Sequence, residues 1–246
     1  MSRTRLLGLA LAAPLAVFTF HPGVASASST PTCDGHKATM VVTTHSPHVI
    51  TGTSHADVIL VKAAGHVVNA GAGNDIICGS NGNDTLNGGP GNDRIEGNGG
   101  NDIEHGNAGN DTLDGQAGND SLNGDAGDDH LNGGDGADVE NGGDGNDTEH
   151  GNAGNDTVNG QAGADNLAGD AGNDHLSGGT GDDHLSGGDG NDHLDGGQGS
   201  DVDNGGQGSD DFATGASDNV QDDSSDDSSH ASAEDSHTGA DSGSDD

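Results

Sequence analysis

A large apolar residue recurs at every ninth position through most of the chain, and polar and glycine residues separate these positions. From Gly52 to Ala213 the sequence divides into 18 nine-residue units without an insertion or deletion. Position 8 of the unit is Ile, Leu, Val or Phe in 14 of the 18 units. One inward apolar residue beside a turn is typical of a very short strand, so the pattern predicts a stack of short β-strands.

Glycine and aspartate occupy fixed positions between the predicted strands. Position 1 is nearly always Gly, position 4 is Gly in 16 of 18 units, and position 6 is Asp in 17, the exception being His66. Two glycines three residues apart permit positive φ angles and a tight turn whose carbonyls face inward. Because a carboxylate recurs at one point of every turn, the pattern indicates ligands for a hard cation.

This unit resembles the repeats-in-toxin (RTX) nonapeptide, G-G-x-G-x-D-x-U-x, in which U is a large apolar residue. The resemblance covers about two-thirds of the chain and implies an all-β fold, a right-handed parallel β-roll of 18 repeats over residues 52–213. In such a roll six residues form a calcium-binding turn, three form a strand, and two units complete one coil. Units n and n+2 would then stack, with several Ca²⁺ ions between their turns.

The resemblance also implies which residues hold the calcium, namely the position-6 carboxylates together with backbone carbonyls. One edge of the roll would carry Asp75, Asp93, Asp111, Asp129, Asp147, Asp165, Asp183 and Asp201. The other edge would carry Asp84, Asp102, Asp120, Asp138, Asp156, Asp174, Asp192 and Asp210.

Residues 1–27 have the pattern of a secretory signal peptide. Arg3 and Arg5 precede an apolar run from Leu6 to Phe20, and Ala25-Ser26-Ala27 has the small-x-small form of a cleavage site. The alternative, a membrane anchor, is disfavoured because a span needs ~20 apolar residues. We expect cleavage near Ala27, a secreted extracellular protein and no membrane span after cleavage. In this respect the chain is similar to small secreted calcium-binding proteins of actinobacteria.

The segments that flank the repeats have different compositions. In residues 28–51, Val41 and Ile50 keep the phase of the apolar position, but His48 stands where the repeat has Asp. We interpret this segment as an N-terminal cap, because the end units of a repeat array expose one face, and simple repeat decay is the alternative. Residues 214–246 are rich in Ser and Asp and lose the frame, which predicts a disordered acidic tail.

Cys33 and Cys78 are the two cysteines of the chain. An even number of cysteines in an exported protein favours a disulfide, which would pin the cap to the roll. Two free thiols are the alternative. A metal site is disfavoured because neither residue belongs to a Cys-x-x-Cys pair.

Four units carry an acid at the apolar position 8, namely Glu104, Glu140, Glu149 and Asp203. An inward carboxylate is costly unless it is paired. Because Glu140 and Glu149 belong to consecutive units, they would face each other across the roll. An extra metal or a hinge would be a functional explanation. We expect instead a local loosening, or a shift of strand register that turns inward Ile103, Val139 and Val202.

Histidines at position 7 form a second candidate group, comprising His130, His175, His184 and His193. The side chains of His175 and His193 should stack on one face, and histidines on adjacent rungs could bind zinc or nickel weakly. Position 7 should point outward, so we expect solvated histidines.

Charge limits the function further. With 43 acidic and 5 basic side chains the net charge is -38, which excludes nucleic acid as a natural partner because its phosphates would be repelled. The sequence contains no Gly-x-Ser-x-Gly or phosphate-binding-loop motif, and its acids fall at repeat positions. We predict a secreted calcium-binding protein that folds on binding Ca²⁺ and is not an enzyme. The alternatives are an adhesion or matrix module with an unknown extracellular or cell-surface partner, and an ice-binding solenoid, which the mixed position 7 disfavours.

Overall fold

The computed structural model describes residues 31–213 and 219–221. Every regular element in these ranges is a β-strand, and they contain no apolar helix long enough to cross a membrane. The predicted signal peptide, residues 1–27, and most of the predicted tail lie outside the described residues.

The strands recur at the period of the nine-residue unit. They are β1 (Thr32–Cys33), β2 (His36–Lys37), β3 (Met40–Val42), β4 (Val49–Thr51), β5 (Val58–Val61), β6 (Val67–Asn69), β7 (Ile76–Cys78), β8 (Thr85–Pro90), β9 (Arg94–Glu96), β10 (Ile103–Ala108), β11 (Thr112–Ala117), β12 (Ser121–Ala126), β13 (His130–Asp135), β14 (Val139–Asp144), β15 (Thr148–Ala153), β16 (Thr157–Ala162), β17 (Asn166–Ala171), β18 (His175–Thr180), β19 (His184–Asp189), β20 (His193–Gln198), β21 (Val202–Gln207), β22 (Asp211–Ala213) and β23 (Asn219–Gln221).

The strands β10 to β21 are six residues long, where the family resemblance implied three. Each begins at position 7 of one unit and ends at position 3 of the next. The extra length arises because parallel pairing continues into the turn, as in Gln116↔Gly134 and Ala117↔Asp135. Positions 4 to 6 are then the residues of each unit that lie outside the strand.

Odd- and even-numbered strands form two parallel sheets, and β1 and β2 form a separate antiparallel pair. The even sheet runs from β4 to β22 and the odd sheet from β3 to β23, each in steps of two strands. In the repeats, paired residues are 18 apart in sequence, as in Leu113↔Leu131, so two units complete one coil. The predicted all-β parallel solenoid is therefore confirmed, with about 10 turns.

Position-8 side chains of both sheets form the interior. Leu113, Leu122 and Leu131 have no exposed surface, whereas the position-7 residue His130 is exposed. The apolar interior consists of two clusters, one ending at Leu131 and the next beginning at Val158. The two units between these clusters carry Glu140 and Glu149 at position 8, so acids interrupt the apolar core.

The cap has a different register from the predicted one. Met40 pairs with Ile59 and Val42 pairs with Val61, so Val41 does not occupy the apolar position and its side chain is 36% exposed. Side chains alternate along a strand, so this register turns both Met40 and Val42 inward, where the expected register would turn only Val41. Ile50 does keep the phase, because it pairs with Val68.

A disulfide joins Cys33 in β1 to Cys78 in β7, with their Cα atoms 5.7 Å apart. It connects the short antiparallel pair to the odd sheet and closes a loop with a sequence separation of 45. A loop of this size stabilises a fold by about 2–4 kcal/mol.

Three residues of the segment that we predict to be a disordered acidic tail, 219–221, are described by the structure, and they form strand β23. Asn219–Gln221 pair with β21 through Val202↔Asn219 and Asp203↔Val220. The offset from 202 to 219 is 17 residues, one less than in the repeats. The odd sheet thus gains one more strand beyond the last intact unit.

Candidate metal centre

Glycine at position 4 lets consecutive turns on one edge stack closely. Gly172 has a φ of +154°, and a Cβ atom at this residue would overlap the carbonyl oxygen of Gly154, 18 residues earlier. An L side chain is excluded there by both the backbone conformation and the space. The stacked turns therefore bring backbone carbonyls of one coil against the next.

The position-6 aspartates lie in two columns, one along each edge of the solenoid. In each column a backbone amide donates a hydrogen bond to the Oδ1 atom of the Asp 18 residues later, for example from Asp111 to Asp129 at 2.7 Å. All 16 predicted aspartates are buried and accept such a bond, at 2.7–3.0 Å. The structure thus brings the predicted residues together as two ladders of carboxylates.

The second carboxylate oxygen, Oδ2, is buried and in most turns accepts no hydrogen bond from any described residue. This holds for Asp75, Asp93, Asp102, Asp111, Asp120, Asp129, Asp138, Asp147, Asp156, Asp165, Asp174, Asp183, Asp192 and Asp210. Burial of an anionic oxygen without a donor is costly, and the cost falls if a cation approaches it.

In most of these units the Oδ2 atom lies near the position-1 residue of its own unit, and in several units a carbonyl of the next stacked turn lies there as well. A Cβ atom on Gly115 would lie 2.6 Å from Asp120 Oδ2 and 2.8 Å from the carbonyl oxygen of Gly133. Carboxylate and carbonyl oxygens from two stacked turns therefore converge. An oxygen donor set of this kind suits Ca²⁺.

Backbone carbonyls must complete any coordination at these turns. In the part of the chain that the structure describes, no group of three or more His, Cys, Asp or Glu side chains is arranged to hold a metal ion. The candidate site is therefore a turn with few carboxylates and several carbonyls, and not a cluster of side chains.

Two turns satisfy Oδ2 with a hydroxyl group. Ser80 donates to Asp84 Oδ2 from its amide at 3.0 Å and from its hydroxyl at 2.7 Å. Thr53 makes the equivalent bonds to Asp57, at 2.7 and 2.9 Å. Both donors stand at position 2 of the unit, so a hydroxyl residue there is the sequence signal for a carboxylate that already has donors. Asp84, although predicted as a ligand, is thus already supplied with donors.

The acids at position 8 keep the strand register, so the expected register shift is wrong. Glu104 pairs with Leu86 and Leu122, and Ile103 and Val139 are 44% and 41% exposed. A one-residue slip would also misplace the hydrogen-bonded Asp ladder, which opposes it. Four acids consequently have no exposed surface, namely Glu104, Glu140, Glu149 and Asp203.

Burial raises the pKa of several carboxyl groups at positions 6 and 8. It raises the pKa of Asp102 and Asp111 to about 7, although a backbone hydrogen bond to each carboxylate acts in the opposite direction. Burial raises the pKa of Asp93 to about 6 and that of Glu140 to about 8. Burial therefore disfavours the charged form of the carboxyl groups whose pKa is raised, unless a cation is present.

The position-7 histidines lie on the outer faces, as predicted. The rings of His175 and His193 pack edge to face with centroids 4.7 Å apart, on paired strands β18 and β20. His193 also lies 3.2 Å from a carboxylate oxygen of Asp211.

Stacked parallel coils with a buried Asp ladder along each edge define a β-solenoid with metal-binding turns. The family model for the RTX calcium-binding nonapeptide repeat matches four segments, 69–104, 105–140, 141–176 and 169–203, which together span more than half of the chain. The chain therefore belongs to this family, whose repeats are calcium-binding motifs. No curated protein matches the chain.

We predict that acidification promotes folding of the metal-free chain. The folded pKa values of about 6 and 7 at Asp93 and Asp102 exceed the ordinary value of 3.8. The folded state therefore binds more protons, and its stability is complete below about pH 4 and is lost as the pH rises through 6 to 7. Far-UV circular dichroism from pH 3 to 8, after metal removal on a chelating resin, should show β signal decreasing with pH.

The same titration in calcium supplies the control, because protons then compete with the cation and acid should weaken binding. A metal-free β signal that increases as the pH rises from 4 to 7 would contradict the prediction.

Proposed function

We propose that this protein is a secreted calcium-binding protein without catalytic activity, whose repeat domain folds when it binds several Ca²⁺ ions. The observation that carries the proposal is the set of buried Asp Oδ2 atoms in the two columns, 14 of which accept no hydrogen bond from any described residue. In this proposal the position-6 aspartates are the carboxylate ligands, and carbonyls of the stacked turns supply the remaining oxygens. Asp84 is the weakest member of the set, because Ser80 already donates to it.

Electrostatic repulsion explains why folding should depend on the metal. Stacking places identical carboxylates at the strand spacing of about 4.8 Å. Each such contact costs about 0.9 kcal/mol in water, and more where water is excluded. A divalent cation between two turns converts this repulsion into coordination, so the free energy of binding contributes directly to folding.

We predict a cooperative, reversible gain of β structure during a calcium titration of the full chain. Far-UV circular dichroism is the suitable measurement because the sequence contains no Trp or Tyr. Magnesium should not substitute, because Mg²⁺ demands near-ideal octahedral geometry and dehydrates reluctantly. A spectrum that is β-rich in chelator and does not change with calcium would overturn the proposed folding mechanism.

A matched pair of substitutions tests the role of the Oδ2 atoms. Asp111→Asn removes a carboxylate whose Oδ2 lacks a donor among the described residues, whereas Asp84→Asn removes one that Ser80 already satisfies. We expect Asp111→Asn to raise the calcium midpoint of folding about twofold or more, since ligand charge sets affinity. Asp84→Asn should change the midpoint less. Equal midpoint shifts would show that the unpaired oxygens are not the ligands.

Export is the remaining part of the proposal, and it rests on the pattern of residues 1–27. Expressed in a bacterium with a general secretory pathway, the protein should reach the medium with Ser28 as its first residue, as determined by mass spectrometry. Replacing Ala25 and Ala27 with Gln should block cleavage, because the enzyme that removes signal peptides requires small residues there. Recovery of an uncleaved wild-type chain from the cytoplasm would contradict this prediction.

A further inference from the structure

Three glutamates are buried in the interior of the solenoid. Backbone amides lie near two of them, those of Gly133 and His150 at Glu140 and that of Gly142 at Glu149, without forming a well-aligned hydrogen bond. Glu104, Glu140 and Glu149 have no exposed surface. Neither carboxylate oxygen of any of them accepts a hydrogen bond of good geometry within the described ranges. They stand at position 8, where most units have an apolar residue. Such groups are costly to bury and therefore call for a partner.

The carboxylate of Glu104 points toward the turn of its own unit. A Cβ atom on Gly97, at the start of that turn, would lie 2.6 Å from Glu104 Oε1, 2.7 Å from Asp102 Oδ2 and 2.9 Å from the carbonyl oxygen of Gly115. Three oxygens from two stacked turns thus surround one point. Two of them are carboxylate oxygens from the same repeat unit.

The other two glutamates repeat this arrangement. A Cβ atom on Gly133 would lie 2.6 Å from Asp138 Oδ2 and 2.7 Å from Glu140 Oε1. On Gly142 it would lie 2.6 Å from Glu149 Oε1 and also against Asp147 Oδ2. The convergence therefore follows from a Glu at position 8 and does not depend on one local distortion.

A unit with leucine at position 8 gives the comparison. Around Gly115, whose unit carries Leu122, the nearest atoms are Asp120 Oδ2, the carbonyl oxygen of Gly133 and Asp120 Cβ. The glutamate units thus add a second carboxylate oxygen to a position that ordinary units supply with one.

We propose that Glu104, Glu140 and Glu149 are additional calcium ligands, which reach from the interior into the turns 97–102, 133–138 and 142–147. The inference rests on the proposed calcium-binding function and names a subset of its sites. Because affinity for Ca²⁺ rises with the number of charged ligands, these three turns bind calcium most tightly and load first.

The position of two of these sites gives them a structural consequence. Glu140 and Glu149 lie between the two apolar clusters of the core, which end at Leu131 and resume at Val158. A cation bound to each glutamate neutralises the acids that interrupt the core. Early loading of these sites would therefore join the two halves of the solenoid.

The test is a triple substitution in the full chain, Glu104→Gln, Glu140→Gln and Glu149→Gln. The matched control is Asp241→Asn, Asp245→Asn and Asp246→Asn, which removes the same charge from residues that follow the repeats. Calcium affinity and stoichiometry are measured by isothermal titration calorimetry and by competition with a chromophoric chelator. Circular dichroism in saturating calcium verifies that each variant folds.

The direction of the change in calcium affinity distinguishes glutamates that bind calcium from buried glutamates that bind no cation. Removing a buried charge without a ligand role eases folding, so apparent calcium affinity would increase, since binding and folding are coupled. A ligand role predicts the opposite, namely loss of the tightest class of sites by about tenfold or more in affinity, with the control unchanged. A triple Gln variant that binds as tightly as wild type, or more tightly, overturns the inference.

A gain-of-ligand variant keeps the inference testable if the triple variant does not fold. Leu122→Glu places a carboxylate at position 8 of a unit whose turn has one carboxylate oxygen, and it should add one tight site. Lower calcium affinity of the Leu122→Glu variant, without an additional tight site, counts against the inference. If the wild-type protein binds no calcium, the proposed function fails as well. If the wild-type protein folds with calcium but the triple Gln variant gives the same calcium titration, only this inference fails.

Discussion

Identical carboxylates stacked every 18 residues are the constraint on which the rest of the structure depends. Two nine-residue units per coil place each position-6 Asp directly next to its equivalents in the neighbouring coils, at about the strand spacing of 4.8 Å. The fold supplies a backbone amide to one oxygen of each carboxylate, as in the 2.7 Å bond from Asp111 to Asp129 Oδ1. The other oxygen accepts no hydrogen bond from a described residue in most turns, as at Asp111 and Asp120, which is why we propose that it binds a cation.

The thin interior explains why apolar packing cannot outweigh the repulsion between the stacked carboxylates. Each unit buries one position-8 side chain, such as Leu113 or Leu122, in a single layer between the two sheets. A conventional domain buries several large side chains per element, and its packing can tolerate a few unfavourable charges. Here 17 of the 18 units carry Asp at position 6, whereas 14 carry an apolar side chain at position 8, so cation binding and folding are coupled.

The period of the sequence was sufficient to predict the parallel solenoid and the two Asp columns, because both follow from the 18-residue stacking alone. The register of the cap was not predictable from phase, since burial of both Met40 and Val42 outweighed the alignment of Val41. The hydrogen bond that Asp84 Oδ2 accepts depends on one hydroxyl, that of Ser80, and the repeat consensus does not include a hydroxyl residue at that position. Local hydrogen bonds and alternating burial are thus what a consensus pattern omits.

The acids at position 8 show how strongly the ladder controls the register. Residues better suited to the interior, Ile103 and Val139, stand immediately before Glu104 and Glu140, yet they remain on the outer face. A slip that buried them would separate Asp102 and Asp138 from the amides and carboxylates of the adjacent coils. Keeping the hydrogen-bonded Asp column intact therefore stabilises this fold more than removing a buried charge would. Because the register is kept, the glutamate oxygens lie near the same turns as the aspartates.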